Sequence, residues 1–139
     1  MLYIDLGEGE VIHMKKILII EDELAYMKVL KDELLEQGYE VIEATDGKEG
    51  LTLAKSQQPD LILLDIAMPI MDGIKMLKQL RKETYGKSAK VIILTNLQPD
   101  DKIIGRVLKD QPFYYLIKSN IELSELVEKI QEILSGQYR

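Results

Sequence analysis

The side chains most able to do chemistry in this sequence each follow directly after a short apolar run. They are Glu21 and Asp22 after residues 17–20, Asp65 after 61–64, Thr95 after 91–94, and Lys118 after 113–117. Parallel sheets bind ligands outside the carboxyl ends of their strands, so these residues form one set if the runs are parallel strands. Polar residues also occur wherever a strand reaches water, and that simpler explanation would fit Thr95 or Lys118 alone. Together, three carboxylates, a hydroxyl and an ammonium predict one shared site.

Three clustered carboxylates require a cation, because two like charges about 4 Å apart repel by roughly 4 kcal/mol at an effective dielectric near 20. Ligands that are all oxygen favour Mg²⁺, or Mn²⁺, which keeps several waters and leaves room for phosphoryl oxygens. Such an ion would make Asp65 a usable nucleophile by neutralising charge on a transferring phosphoryl group. Lys118 would add a second positive charge, and Thr95 would donate a hydrogen bond to a phosphoryl oxygen.

The elements that position these residues alternate along the chain. Four continuous apolar runs are typical of strands buried on both faces, and a weaker run over residues 39–44 fits a fifth strand at an edge. Apolar residues at helical spacing predict five helices between and after the strands. The helical patterns lie around residues 24–34, 46–56, 74–80, 103–108 and 123–134. Strict alternation predicts right-handed crossovers and a single doubly wound (βα)₅ domain of the α/β class, with a five-stranded parallel sheet.

Two of the predicted helices begin with capping-box patterns. Asp46 with Glu49 precedes the second helix, and Ser119 with Glu122 precedes the fifth. We therefore expect Asp46 and Ser119 to be N-cap residues.

Residues 1–13 differ from the rest of the sequence. Residues 2–6 and 10–12 flank Gly7-Glu8-Gly9 as the strands of a small hairpin would. His13-Met14 also has the form of a cloning junction, and we favour a leader left by cloning, with Met14 as the natural first residue. The predicted organisation is a leader over 1–13, one domain over 14–136 and a tail over 137–139, with no output domain.

Composition narrows the classes of function. The chain has 139 residues with 46% hydrophobic and 30% charged side chains, which are ordinary values for one globular domain. No apolar run approaches the roughly 20 residues of a membrane span, so we expect a soluble, cytoplasmic protein without membrane insertion. The absence of cysteine excludes thiolate metal sites and cysteine nucleophiles, and His13 is the one histidine. The net charge of −6 argues against direct binding to nucleic acid.

In the order and spacing of these residues, residues 15–136 resemble the receiver domain of bacterial two-component response regulators. The resemblance implies a flavodoxin-like fold and a stand-alone phosphorylation switch rather than a metabolic enzyme. Such a domain accepts a phosphoryl group from a sensor histidine kinase or a histidine phosphotransfer protein and then binds a downstream protein.

The resemblance also implies a role for each residue of the set. Glu21 and Asp22 are the acidic pair that serves the metal, Asp65 is the phospho-acceptor and a metal ligand, Ala67 completes the metal site through its backbone carbonyl, Thr95 is the switch hydroxyl, Lys118 pairs with the phosphate, and Tyr115 is the aromatic residue whose rotamer follows activation.

Three positions depart from the family pattern. Ser119 follows Lys118 where proline is usual, which puts the cis peptide bond common at that position in question. Asn96 replaces a small residue after the switch hydroxyl, and residues 109–113 replace a small Gly-Ala segment. The surface between the fourth helix and the fifth strand is therefore atypical, and the downstream partner cannot be inferred from the family.

Other functions remain open at the level of the sequence. A haloacid-dehalogenase-type phosphohydrolase would use a second Asp two residues after the nucleophile, where this chain has Ala67. A flavin-binding domain would need a phosphate-binding loop after the first strand, where Glu21-Asp22-Glu23 would repel phosphate. A docking domain that is never phosphorylated is the third alternative.

Overall fold

The computed structural model describes residues 3–5, 11–68 and 70–136, with side chains over 14–68 and 70–136. Strands β1 (Tyr3–Asp5) and β2 (Val11–His13) pair antiparallel, which is the backbone arrangement of the hairpin suggested by the sequence. The predicted tail over 137–139 lies outside the described residues. The domain boundaries and the origin of residues 1–13 stay predictions.

The main sheet contains five parallel strands in the order β4-β3-β5-β6-β7. These strands are β3 (Lys16–Ile20), β4 (Glu40–Ala44), β5 (Leu61–Leu64), β6 (Val91–Thr95) and β7 (Tyr114–Ile117). The weak apolar run forms the edge strand β4, as expected. The predicted doubly wound, flavodoxin-like α/β fold in a single domain is confirmed.

Five helices within the described residues follow the strands of this sheet. They are α1 (Leu24–Glu36), α2 (Gly47–Gln57), α3 (Gly73–Leu80), α4 (Asp101–Val107) and α5 (Leu123–Ser135). No helix of the described residues is long and apolar enough to span a membrane.

Alternate residues of each central strand enter opposite hydrophobic layers. Leu18 and Ile20 of β3 pack with residues of α2, α3 and α4, whereas Ile17 and Ile19 pack with residues of α1 and α5. Because both faces are covered, the central strands are continuous apolar runs rather than alternating ones.

Helix starts agree with the capping pattern at α2 but not at α5. The Asp46 carboxylate accepts a hydrogen bond from the Glu49 N–H at 2.8 Å, as predicted. The expectation that Ser119 caps α5 is wrong: Ser119 lies in a 3₁₀ turn, Lys118–Asn120, and Glu122 is the N-cap. Glu122 forms the capping box with Glu125, because the chain turns and extends once more before the helix begins.

Candidate functional site at the carboxyl ends of the strands

Strand register brings the predicted residues to one rim of the sheet. Ile20 pairs with Leu64, so Glu21 and Asp65 are the next residues on neighbouring strands. Thr95 pairs with Ile117, so Lys118 follows immediately beside it. The tertiary structure therefore brings distant residues into direct hydrogen bonds, as with Asp65 and Lys118, which are 53 positions apart.

Asp65 lies at the centre of this rim and is buried. Its Oδ1 accepts a hydrogen bond from the Ala67 N–H at 3.0 Å, and its Oδ2 accepts one from the Lys118 ammonium at 3.1 Å. Helix α3 begins close behind it at Gly73, where a Cβ atom would lie 2.4 Å from the Asp65 carbonyl oxygen. A glycine is therefore required at this position for the helix to pack against the acceptor.

Glu21 is buried as deeply as Asp65 and shares Lys118 with it. Its Oε1 accepts from the Glu23 N–H at 3.0 Å, and its Oε2 lies 2.6 Å from Lys118 Nζ. Burial raises the pKa of Glu21, although its hydrogen bond with Lys118 acts in the opposite direction. Burial would lower the pKa of Lys118, but the hydrogen bonds and charges of Glu21 and Asp65 outweigh it, so that this pKa is raised. The ammonium is thus held in its charged form between the two carboxylates.

The acidic cluster fits a divalent ion with oxygen ligands. Glu21, Asp22 and Asp65 each offer a carboxylate oxygen, and these atoms lie within 4.8 Å of one another. Among the ion pairs of the described residues, Lys118 is the cation bonded to this cluster, through Glu21 and Asp65, so three carboxylates have one positive charge between them. An oxygen-only donor set with a charge deficit is the environment that Mg²⁺ or Mn²⁺ prefers. Of the fourth predicted ligand, Ala67, the contact described is that of its N–H with Asp65.

Thr95 and Tyr115 meet at the backbone of one residue. The fully buried Thr95 accepts a hydrogen bond from the Leu97 N–H at 3.3 Å. The Tyr115 hydroxyl donates to the Leu97 carbonyl oxygen at 2.6 Å. Burial, together with the nearby charges of Asp65 and Asp100, raises the pKa of Tyr115, which keeps this hydroxyl a donor. The two predicted switch residues are therefore linked by hydrogen bonds through Leu97.

Two contacts at the rim were not anticipated from the sequence. The Lys118 ammonium lies 4.6 Å from the centroid of the Tyr26 ring, which belongs to the first turn of α1. The Ser119 N–H donates to Asn96 Oδ1 at 3.1 Å, and no cis peptide bond occurs in the described residues. Asn96 and Ser119, which both depart from the family pattern, are thus hydrogen-bond partners. A proline at residue 119 could not form this bond, because it would have no N–H to donate. The signal in the sequence that could have found Tyr26 is an aromatic residue four positions after Asp22.

An apolar groove lies next to the rim, beside α4 and β7. Its volume is about 350 Å³, and its lining includes Ile104, Leu108, Pro112 and Tyr115. Leu108 is 68% exposed. The groove contains part of the segment 109–113, whose sequence is atypical.

Comparisons with known proteins agree with this geometry. Residues 17–131 match the model of the family described as response regulator receiver domain. Protein PilH of Pseudomonas aeruginosa is 33% identical over 124 residues, which cover 88% of this chain and 100% of PilH. Several curated relatives are longer transcriptional regulators, and the chain spans 49% of one and 38% of another.

Solved structures give the same answer. A CheY-like receiver domain protein from Methanospirillum hungatei superposes with a TM-score of 0.82 at 30% identity, covering 90% of this chain and 97% of that one. The response regulator TrrA of Thermotoga maritima, in complex with Mg²⁺ and BeF, has a TM-score of 0.73 at 34% identity, with 86% and 99% of the two chains covered. With the acidic rim, the parallel sheet and the match over residues 17–131 in agreement, the chain belongs to the family of response regulator receiver domains.

Proposed function

We propose that this chain is a phosphorylation switch in which Asp65 accepts a phosphoryl group with the help of Mg²⁺ or Mn²⁺. The observation that carries the proposal is the position of the buried Asp65 carboxylate, which is bonded to Lys118 and lies within 4.8 Å of the carboxylates of Glu21 and Asp22. Receiver domains are signalling domains of two-component systems rather than metabolic enzymes, and they bind Mg²⁺ at an acidic pocket.

In the proposed reaction, a carboxylate oxygen of Asp65 attacks the phosphorus of a phosphohistidine. The O–P bond forms as the N–P bond breaks, and the leaving imidazole keeps the bonding electron pair and takes a proton from solvent. A bound Mg²⁺ would supply positive charge opposite the phosphoryl oxygens. Glu21, Asp22, Asp65 and the Ala67 carbonyl would hold that ion.

Lys118 needs little movement to take part in this reaction. Its ammonium already lies 3.1 Å from Asp65 Oδ2, so a phosphoryl group on that carboxylate would arrive beside a fixed positive charge. Placing the charge in advance lowers the cost of reorganisation in the transition state.

The signal would leave the rim through the loop that follows β6. A phosphoryl oxygen that accepts a hydrogen bond from Thr95 would pull this hydroxyl toward Asp65. Leu97 would follow, since its N–H is bonded to Thr95, and its carbonyl oxygen is the acceptor of the Tyr115 hydroxyl. The loop is the two-state element, and the phosphate is the ligand that shifts its equilibrium.

The proposed partners are a sensor histidine kinase or a histidine phosphotransfer protein, followed by a downstream protein target. The apolar groove beside α4 borders Tyr115 and is a candidate contact surface for that target.

The net charge of −6 opposes direct binding to nucleic acid, and the absence of cysteine agrees with a cytoplasmic location.

The test is incubation with Mg²⁺ and a small phosphodonor such as acetyl phosphate, followed by intact mass measurement. The parent should gain one phosphate that is labile to acid and base. Chelation of the metal should prevent this gain, and so should Asp65→Asn, because an amide is neither a nucleophile nor an anionic ligand. Asp101→Asn, at an exposed acid in the first turn of α4, is the matched control and should be phosphorylated normally.

Two outcomes would contradict the proposal. A labile phosphate that persists in Asp65→Asn would place the acceptor elsewhere. A folded parent that binds Mg²⁺ but gains no phosphate would favour the docking domain instead.

A further inference from the structure

The ammonium group of Lys118 makes three contacts, and one of them is with an aromatic ring. Its Nζ atom lies 2.6 Å from Glu21 Oε2, 3.1 Å from Asp65 Oδ2 and 4.6 Å from the centroid of the Tyr26 ring. An ammonium has three N–H donors and no acceptor, so two carboxylates and a ring face account for all three. The Lys118 side chain is only 7% exposed, and cation–π attraction is strongest when the cation is desolvated.

The ring differs from the two carboxylates in its relation to a metal ion. Glu21 and Asp65 belong to the cluster that fits Mg²⁺, so the ion and the lysine depend on the same two side chains. Mg²⁺ takes oxygen ligands and strongly prefers carboxylates and water. The ring face offers no such ligand. Of the three contacts of Lys118, the one with Tyr26 is therefore the one for which a metal does not compete.

Tyr26 packs against apolar residues as well as against Lys118. It lies in the first turn of α1 and packs against the hydrophobic layer that contains Met27 and Leu30. This apolar packing does not depend on the rim charges, so we expect the ring to stay in place when those charges change. The ring can hold the ammonium while the carboxylates exchange one cation for another.

We propose that Tyr26 is a positioning residue for Lys118, whose ring face keeps the ammonium beside Asp65 when a metal ion engages the carboxylates. This inference rests on the proposed role of Lys118 in phosphoryl transfer. In this proposal Tyr26 acts on the reaction through Lys118.

The first test uses metal-free protein and no phosphodonor. In the NMR spectrum, the ring current of Tyr26 should shift the Hε protons of Lys118 upfield. Tyr26→Phe keeps the ring and should keep the shift, whereas Tyr26→Leu should abolish it. Identical Lys118 shifts in all three proteins would overturn the contact.

The second test is the rate of phosphorylation by acetyl phosphate at saturating Mg²⁺. Tyr26→Leu should be slower by about tenfold, and Tyr26→Phe should stay within about twofold of the parent. A merely structural role for Tyr26 would not produce the ring-current shift of the Lys118 Hε protons, so the rate is interpreted together with the first test. Tyr26→Met gives the same comparison if the Leu variant does not fold.

Another lysine–ring pair provides the matched control. Lys129 Nζ lies 4.6 Å from the centroid of the Tyr114 ring, away from the acidic cluster, and Lys129→Met should leave the rate unchanged. If the parent is phosphorylated and Tyr26→Leu is phosphorylated at the same rate, the role of Tyr26 is wrong while the proposed function stands. A parent that takes no phosphate would defeat the proposed function and the rate effect together, while the NMR test would still decide the contact.

Discussion

The two ends of the main sheet both hold charged side chains out of full contact with water, but they satisfy them in opposite ways. At the amino ends of β6 and β7, the half-buried Arg81 follows α3 and donates to four backbone carbonyl oxygens. These belong to Gly86, Ala89, Asp110 and Gln111, at distances of 2.6 to 3.1 Å. One cation there joins two connecting segments; its hydrogen-bond acceptors are neutral carbonyls, and the charge of Asp110 lies close enough to act on it.

At the carboxyl ends the balance is reversed. Two of the three clustered carboxylates, those of Glu21 and Asp65, share Lys118, and each also accepts one backbone N–H. Backbone carbonyls therefore satisfy Arg81 in the folded chain, although Asp110 Oδ2 at the same end is buried without a hydrogen-bond partner. At the carboxyl end, the excess of carboxylates calls for a further cation. From this difference we expect stability and function to depend on different ends of the sheet. Substitutions at the amino end should lower the free energy of unfolding, and substitutions at the rim should impair metal binding and phosphorylation.

The largest expected effect on folding is that of Arg81→Ala. Loss of the charged hydrogen bonds to two segments should lower the free energy of unfolding by about 2–3 kcal/mol, measured by urea denaturation. Arg81→Lys should lose most of the same energy, since an ammonium cannot reach four separated carbonyls. The exposed Lys78→Ala is the control and should change stability by less than about 0.5 kcal/mol. A folded Arg81→Ala protein that is no longer phosphorylated would contradict the expected separation of stability from function.

Asp22→Ala should have the opposite profile. Removal of one of three repelling carboxylates should weaken Mg²⁺ binding by at least about tenfold, measured by isothermal titration calorimetry, because a charged ligand is lost. The stability of the metal-free protein should stay equal or rise, since the repulsion is relieved. Asp32→Ala removes an acid that is paired with Lys28 on the surface of α1 and should leave Mg²⁺ affinity unchanged. Equal affinity in Asp22→Ala and the parent would move the metal site elsewhere.

Thr95→Ala and Lys118→Ala sharpen the comparison within the rim. Each should permit some phosphorylation, because Asp65 remains, but should lose most of the phosphate-induced chemical-shift changes around Tyr115 and α4. The reason is that both groups pull on the phosphoryl oxygens without supplying the nucleophile. Thr52→Ala, which removes an exposed hydroxyl from α2, is the control. Undiminished shift changes in both rim variants would refute the switch mechanism.

The smallest effect concerns the lifetime of the phosphoryl group. Hydrolysis needs a water in line with the leaving carboxylate, and neither Ala67 nor the apolar Leu97 can orient one. We expect slow phosphate loss in the parent and loss that is faster by about tenfold in the double variant Ala67→Asn, Leu97→Glu. Leu108→Glu makes a similar change on the exposed side of the groove and should leave the lifetime unaltered. The explanation fails if the parent loses phosphate as fast as the double variant.

The sequence by itself determined where the strands lie and which residues follow them at the carboxyl-end rim of the sheet. Runs such as Leu61–Leu64 are apolar throughout because both faces of a central strand are buried, and this requirement is local enough to be read from a few residues. Parallel strands end on the same side of a sheet, so Asp65 and Lys118 could be assigned to one site before their contact was known. Their chemical roles stay predictions.

Only the tertiary structure decided how these groups are paired. The division of Lys118 between Glu21, Asp65 and the Tyr26 ring, and the four carbonyl bonds of Arg81, join segments that are far apart in the chain. The N-cap of α5 is Glu122 rather than Ser119, because Ser119 lies in the 3₁₀ turn Lys118–Asn120, where its N–H is bound to Asn96, 23 residues away. Local patterns report which faces are buried, but a hydrogen bond depends on positions that strand order and helix packing fix together.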